Sequence, residues 1–273
     1  MTALSPALSS LMPHMNSDPM TRLNLSLSVL MTASFIVFIP AMLLDPRLLD
    51  GAGLWVKPQK FHLSLALHFF TIAVLAQLLS PAVLKGPILM TFSYLAGLAL
   101  VFEYIWVGIQ AAQAKRSHFN FDTPFEALMY AGMGLGAVLL MTIAMALAVQ
   151  IFRKGDRSRY GVWLGAVVGL SVAFVSTLYF GFEMSNSSRY VGATLEGGGA
   201  TVPFFGWSRE YGDLRPAHFV SLHLMQSVPL AGWLADRRGW NAKWVVGGVT
   251  AAQLALAIAL FVQAKAGQPF WPL

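Results

Sequence analysis

Apolar runs long enough to cross a bilayer recur along this chain, with short polar breaks between them. They lie at Leu23 to Leu44, Phe61 to Ser80, Pro87 to Gln113, Ala127 to Phe152, Tyr160 to Phe182, Pro216 to Ala235 and Lys243 to Val262; a helical span needs about 20 mainly apolar residues. The breaks carry helix-ending chemistry in Asp45-Pro46, Ser80-Pro81, Thr123-Pro124 and the turn Arg153-Lys154-Gly155-Asp156. This pattern predicts an all-α protein, a bundle of seven transmembrane helices. Residues 1–22 have no basic cluster ahead of the first apolar run and read as a flexible tail, not a cleaved signal. Residues 23–264 read as one seven-helix transmembrane domain with a long outer loop at 184–212, and residues 265–273 as a C-terminal tail.

Composition agrees with the pattern. Of 273 residues, 56% are hydrophobic and 11% charged, and the mean hydropathy of +0.62 is too high for a water-facing surface. The absence of cysteine excludes disulfides, thiolate metal sites, Fe–S clusters and a cysteine nucleophile. The excess of 18 Lys and Arg over 12 Asp and Glu fits the loop charges of a membrane protein, not nucleic-acid binding. Small residues at four-residue spacing, Gly161, Gly165 and Gly169 in the fifth span and Gly247, Ala251, Ala255 and Ala259 in the seventh, are expected to pack helices inside the bundle.

Orientation rests on how the basic residues cluster. Arg153, Lys154, Arg157 and Arg159, with Arg237, Arg238 and Lys243, form compact basic groups on the N-terminal side. On the other side Arg47, Lys57, Lys60, Arg116, Arg209 and Arg215 alternate with acidic residues. The first arrangement suits a cytoplasmic face. The reading is therefore a multi-pass protein of the bacterial inner membrane, with its N terminus in the cytoplasm and its C terminus in the periplasm. Its partners are the lipid bilayer and a small-molecule or lipid ligand; the sequence does not fix an oligomeric state.

Polar residues within the spans are costly, so their positions carry information. Lys57, Lys60, Ser64, His68 and Thr71 advance by three- and four-residue steps and share one helix face, which His62 does not. Glu103, Trp106, Gln110, Gln113 and Ser117 form a second stripe that leads to His118. The sixth span opens with Asp213, Arg215 and His218, followed by His223 and Gln226. At 1.5 Å per residue, His68, Glu103 and His223 lie about 12 to 15 Å in from the same side. An unpaired carboxylate at that depth costs roughly 3 kcal/mol, so Glu103 calls for a proton, a partner or water. The expected ligand pocket comprises Lys57, Lys60, Ser64, His68, Glu103, Gln110, His118, Asp213, Arg215, His218 and Gln226. The loop at 184–212, with Phe204, Phe205, Trp207 and Tyr211, reads as a lid over its mouth.

Four chemistries can be weighed against these residues. A retinal protein needs a lysine in the middle of the last span, and Lys243 and Lys265 lie at its ends. A zinc-dependent membrane hydrolase of the alkaline ceramidase type would use His68, His218, His223, Asp213 and Ser64 or Ser221. His218 and His223, however, are five residues apart and about 140° round a helix, where zinc ligands from one helix stand three or four apart. A divalent metal held by His68, His223 and Glu103, or a haem b held by His68 and His223, has no such spacing constraint. The cofactor-free alternative is a transporter or sensor in which Lys60, Arg215 and Glu103 bind an anionic small molecule or lipid.

The blocks Lys57-Pro58-Gln59-Lys60-Phe61, Ser117-His118-Phe119-Asn120 and Gly212-Asp213-Leu214-Arg215-Pro216-Ala217-His218, the last followed by Leu222-His223 and Gln226, resemble those of an uncharacterised family of bacterial polytopic inner-membrane proteins. The resemblance covers spans two to seven. It implies a membrane bundle with these blocks together, and it brings no activity.

Overall fold

The computed structural model describes residues 18–186, 188–194 and 199–271. Most of the tail expected at 1–22, the Ser187 of an Asn-Ser-Ser tripeptide, and Gly197 and Gly198 lie outside them. Asp18 caps helix α1 (Pro19–Val37) by accepting from the Thr21 amide at 2.7 Å, with Pro19 in the first turn. The helix therefore starts at the end of the segment read as tail. It breaks at Phe38 and resumes as α2 (Ile39–Leu44), because Pro40 has no N–H for the Ile36 carbonyl. The hairpin β1 (Leu48–Leu49) and β2 (Ala52–Gly53) turns through Asp50 and Gly51, both at positive φ, as an Asp-Gly turn requires.

The remaining helices are α3 (Val56–Ala76), α4 (Pro81–Leu84), α5 (Pro87–Ala112), α6 (Pro124–Lys154), α7 (Tyr160–Asn186), α8 (Arg215–Leu222), α9 (Leu224–Arg238) and α10 (Ala242–Lys265). Strands β3 (Tyr190–Val191) and β4 (Gly212–Asp213) join the two ends of the long loop. The Thr123 hydroxyl caps α6 by accepting from the Glu126 amide at 3.2 Å and donates to the Glu126 carboxylate at 3.0 Å. The main apolar core, led by Phe69, Ile72, Leu100, Leu147 and Leu170, runs through the bundle, with smaller clusters around Phe180 and Leu260 and around Trp106 and Met133.

Six helical stretches among the described residues are long and apolar enough to cross a membrane: Pro19–Leu44, Val56–Ala76, Pro87–Ala112, Pro124–Lys154, Tyr160–Asn186 and Ala242–Lys265. The protein is thus an all-α chain of multi-pass membrane character. The sixth expected span, Pro216 to Ala235, is not one helix. It divides at His223 into α8 and α9. Pro229 lies inside α9, where it has no N–H for the Met225 carbonyl.

The two small-residue stripes part company. In α7, an added Cβ at Gly161 would meet the Gly232 carbonyl oxygen; at Gly165 it would lie 2.7 Å from the Val228 oxygen, and at Gly169 2.8 Å from the Leu224 oxygen. Here α7 and α9 touch backbone to backbone, and Asp236 of α9 accepts from the Gly161 and Val162 amides at the start of α7. In α10, by contrast, nothing lies within 4 Å of a Cβ at Gly247, and Ala251, Ala255 and Ala259 are exposed. The expectation that both stripes pack inside the bundle is corrected for α10, whose contacts with α8 and α9 use another face.

Candidate functional site

Helices α3 and α8 begin, and α5 and α7 finish, at one end of the bundle, and the polar residues meet there. Pro58 sits in the first turn of α3, where a missing N–H costs nothing, and this places Lys57 and Lys60 at the helix head. Asp50, on the β1–β2 turn, takes Arg116 at 2.7 and 2.9 Å and Arg189 at 2.9 Å. Burial works against ionisation of Asp50, but the two guanidiniums outweigh it and hold the carboxyl below its usual range. Asp213, only 2% exposed, accepts from the Ser208 and Arg215 amides and from the Arg215 guanidinium at 2.6 and 2.9 Å. The Tyr190 ring has Arg189 on it at 4.8 Å and Arg215 at 5.0 Å.

The two lysines differ from these paired cations. Lys57 donates to Nδ1 of His118 at 3.0 Å, and Lys60 to the Phe205 carbonyl at 2.9 Å. Among the described residues neither reaches a carboxylate within ion-pair distance. Burial, then the positive charges of Lys57 and Arg189, hold His118 well below the ordinary histidine range, so it presents a neutral ring that accepts from Lys57. Arg215 also donates to the Gly206 carbonyl at 2.7 Å and to the Tyr190 hydroxyl at 3.0 Å.

Deeper in, the stripe residues line up against α6 and α7. His68 is buried, with its ring edge-on to Phe69 at 5.2 Å. Glu103 is 2% exposed and fits only because residue 136 is glycine, where a Cβ would lie 2.9 Å from its Oε1. It feels the charge of Lys57 without contacting it. The His218 ring packs on Gly181 of α7, while Ser64 is half-buried between Lys60 and His68. Four buried atoms here have no hydrogen-bond partner: Nε2 of His68, Oε2 of Glu103, Oε1 of Gln110 and Nδ1 of His218. Buried polar atoms are rarely left so.

No three His, Asp or Glu side chains that could hold a metal ion gather among the described residues. The sets His68, His223 and Glu103, and His68, His218, His223 and Asp213, therefore remain unassembled. Asp213 is committed to Arg215, and His223 to Gln226 at 3.1 Å. Gln226 donates to Thr71 at 3.2 Å, so α3 and α9 are in side-chain contact one turn beyond His68 and His223.

Asp50, Arg116, Arg189 and Tyr190 belong to this cluster and were not singled out as pocket residues. Their joining depends on the hairpin turn and on loop ends far apart in sequence. His62, off the stripe, is buried and bonded to Gln59. With Phe38, Trp55 and Tyr104 it lines a cavity of about 220 Å³ that opens past Ile105 and Ile109. A second cavity of about 150 Å³ lies by Leu49, Arg116 and Asp122; neither is lined by Lys57 or His68. No protein family, curated protein or solved structure matches this chain, so the resemblance rests on its sequence blocks alone.

Proposed function

We propose that this chain is a multi-pass protein of the bacterial inner membrane whose polar cluster faces the periplasm and binds a small anionic molecule or lipid headgroup without a cofactor. The pair α8–α9 makes the sixth of the seven crossings, as a broken helix. The observation that carries the reading is the pairing of Lys57 and Lys60. Both are half-buried cations beside Arg189 and Arg215, and their partners are a neutral imidazole and a peptide carbonyl. Such cations are costly within a membrane protein unless a counter-charge arrives. The unpartnered atoms of His68, Glu103, Gln110 and His218 continue the polar path inward. The helix interrupted at His223 favours transport over sensing, because transporters place their sites at discontinuous helices.

Isothermal calorimetry on detergent-purified protein with phosphate, succinate and sulfate tests the reading. At least one anion is expected to bind saturably, and Lys57→Ala and Lys60→Ala are each expected to weaken it about tenfold or more with the melting temperature nearly unchanged. Absence of binding by all three would refute it.

A further inference from the structure

The hairpin formed by residues 201–208 lies over the cation cluster. It closes through the Thr201 and Ser208 bridge and the Gly206 amide on the Val202 carbonyl. Its tip presents two consecutive carbonyls to two cations from different helices: Phe205 to Lys60 at 2.9 Å and Gly206 to Arg215 at 2.7 Å. We infer that the ligand of this site is a phosphate-type dianion, and that it binds by displacing these two carbonyls, so that the 201–208 hairpin is a lid held shut by the cations that take the ligand. The inference rests on reading the cluster as an anion site.

Charge argues for a dianion. Lys57, Lys60, Arg116, Arg189 and Arg215 share the cluster with Asp50, Asp213 and Glu103, an excess of two positive charges even with every carboxylate ionised. Asp50 is shared by two guanidiniums, and Asp213 is saturated by Arg215 and two backbone amides. The excess therefore falls on the lysines. Geometry argues for phosphate, since the Lys60 and Arg215 donors now held by neighbouring carbonyls could each take a different oxygen of one tetrahedral anion. An ammonium or guanidinium bonds an anionic oxygen about twice as strongly as a neutral one, so the exchange runs toward the ligand.

The hairpin is built to be released. Phe204 at its tip has φ of 63°, a region that side chains with a Cβ seldom adopt, and its own ring is 44% exposed. The tip is otherwise held by ring contacts of Phe205 with Trp207 at 4.5 Å and with Phe219 at 5.4 Å, while the base of the hairpin stays anchored by the Ser208 amide on Asp213 and by Trp207 against Phe219 and Phe270. The ring contacts at the tip carry no directional bond into the cation cluster. A soluble phosphate ester and a lipid phosphate present the same oxygens, so the ligand's source is a matter for the test.

The full chain, free of cysteine, takes a spin label at Phe204→Cys in phosphatidylcholine nanodiscs. Inorganic phosphate and dihexanoyl phosphatidic acid are titrated with succinate as comparator, and binding is followed by calorimetry alongside label mobility. Saturable binding of a phosphate probe with a matching rise in mobility is expected; the probe that acts at lower concentration identifies a free or a lipid phosphate. Lys60→Gln keeps a donor for the Phe205 carbonyl but not the charge, and is expected to weaken binding about tenfold with the label still immobile before addition. Lys57→Gln, which does not touch the hairpin, is expected to weaken binding without altering the unliganded spectrum. Phosphate binding with an unmoved label overturns the lid and leaves the anion site. Succinate binding without phosphate binding overturns the phosphate class alone, and no binding by any probe refutes the anion site itself.

Discussion

The contact between Lys57 and His118 shows how one residue sets a pH response. The Lys57 ammonium donates to Nδ1 of His118, which requires the neutral ring with its proton on Nε2. Burial and the neighbouring cations hold the His118 pKa below that of the unfolded chain, near 6.5. The folded state then binds fewer protons than the unfolded one below about pH 6.5, so stability is full above that value and falls as pH drops toward the folded pKa. The melting temperature in detergent is expected to fall between about pH 7 and pH 5. The fall should be smaller in His118→Asn, which keeps an acceptor and cannot titrate; parallel curves for both proteins would refute the linkage. Glu103 is specified as closely, since its carboxyl occupies the space a side chain at residue 136 would need. Gly136→Ala should lower stability by about 1 to 3 kcal/mol, and Glu103→Ala should relieve part of that loss by clearing the space that the added methyl needs.

Among the elements, the two small-residue stripes have the same spacing and different surroundings. Gly165 of α7 meets the backbone of α9 at Val228 and Pro229, whereas Gly247 of α10 meets nothing within 4 Å. Gly165→Ala is therefore expected to destabilise the protein by about 1 to 3 kcal/mol. Gly247→Ala should be neutral or stabilising by up to about 1 kcal/mol through helix propensity alone. Thermal unfolding of both variants in one detergent checks the contrast, and equal losses would contradict it. The break between α8 and α9 lies at His223, and the stripe of α7 seats against the start of α9 from Leu224 to Pro229. The close approach and the interruption thus occur at one contact.

Taken as a whole, the molecule collects its paired and unpaired cations at one end and leaves basic groups with few partners at the other, Arg153 and Lys154 in the last turn of α6 and Arg237 and Arg238 in that of α9. That asymmetry is the basis of the proposed orientation. Cysteines placed singly at Ser158 and Thr201 are expected to label from opposite sides of the membrane, Thr201 from the periplasm. Labelling of Thr201→Cys only after the membrane is breached would place the cluster in the cytoplasm and make its ligand a cytoplasmic one.

The sequence by itself determined the apolar elements and the stripes of polar residues along them, because both follow from local periodicity and from the cost of polar groups in lipid. Lys57, Lys60, His68, Glu103 and Gln110 could be placed on helix faces for that reason alone. Tertiary structure decided which atoms meet. Lys60 and Phe205 are 145 residues apart and Asp50 and Arg189 are 139 apart, and their pairing depends on how the 201–208 hairpin and the β1–β2 turn close over the bundle. It also decided that the α7 stripe is buried and the α10 stripe exposed. Spacing states that two helices are able to approach closely, and only the packed neighbours decide whether they do.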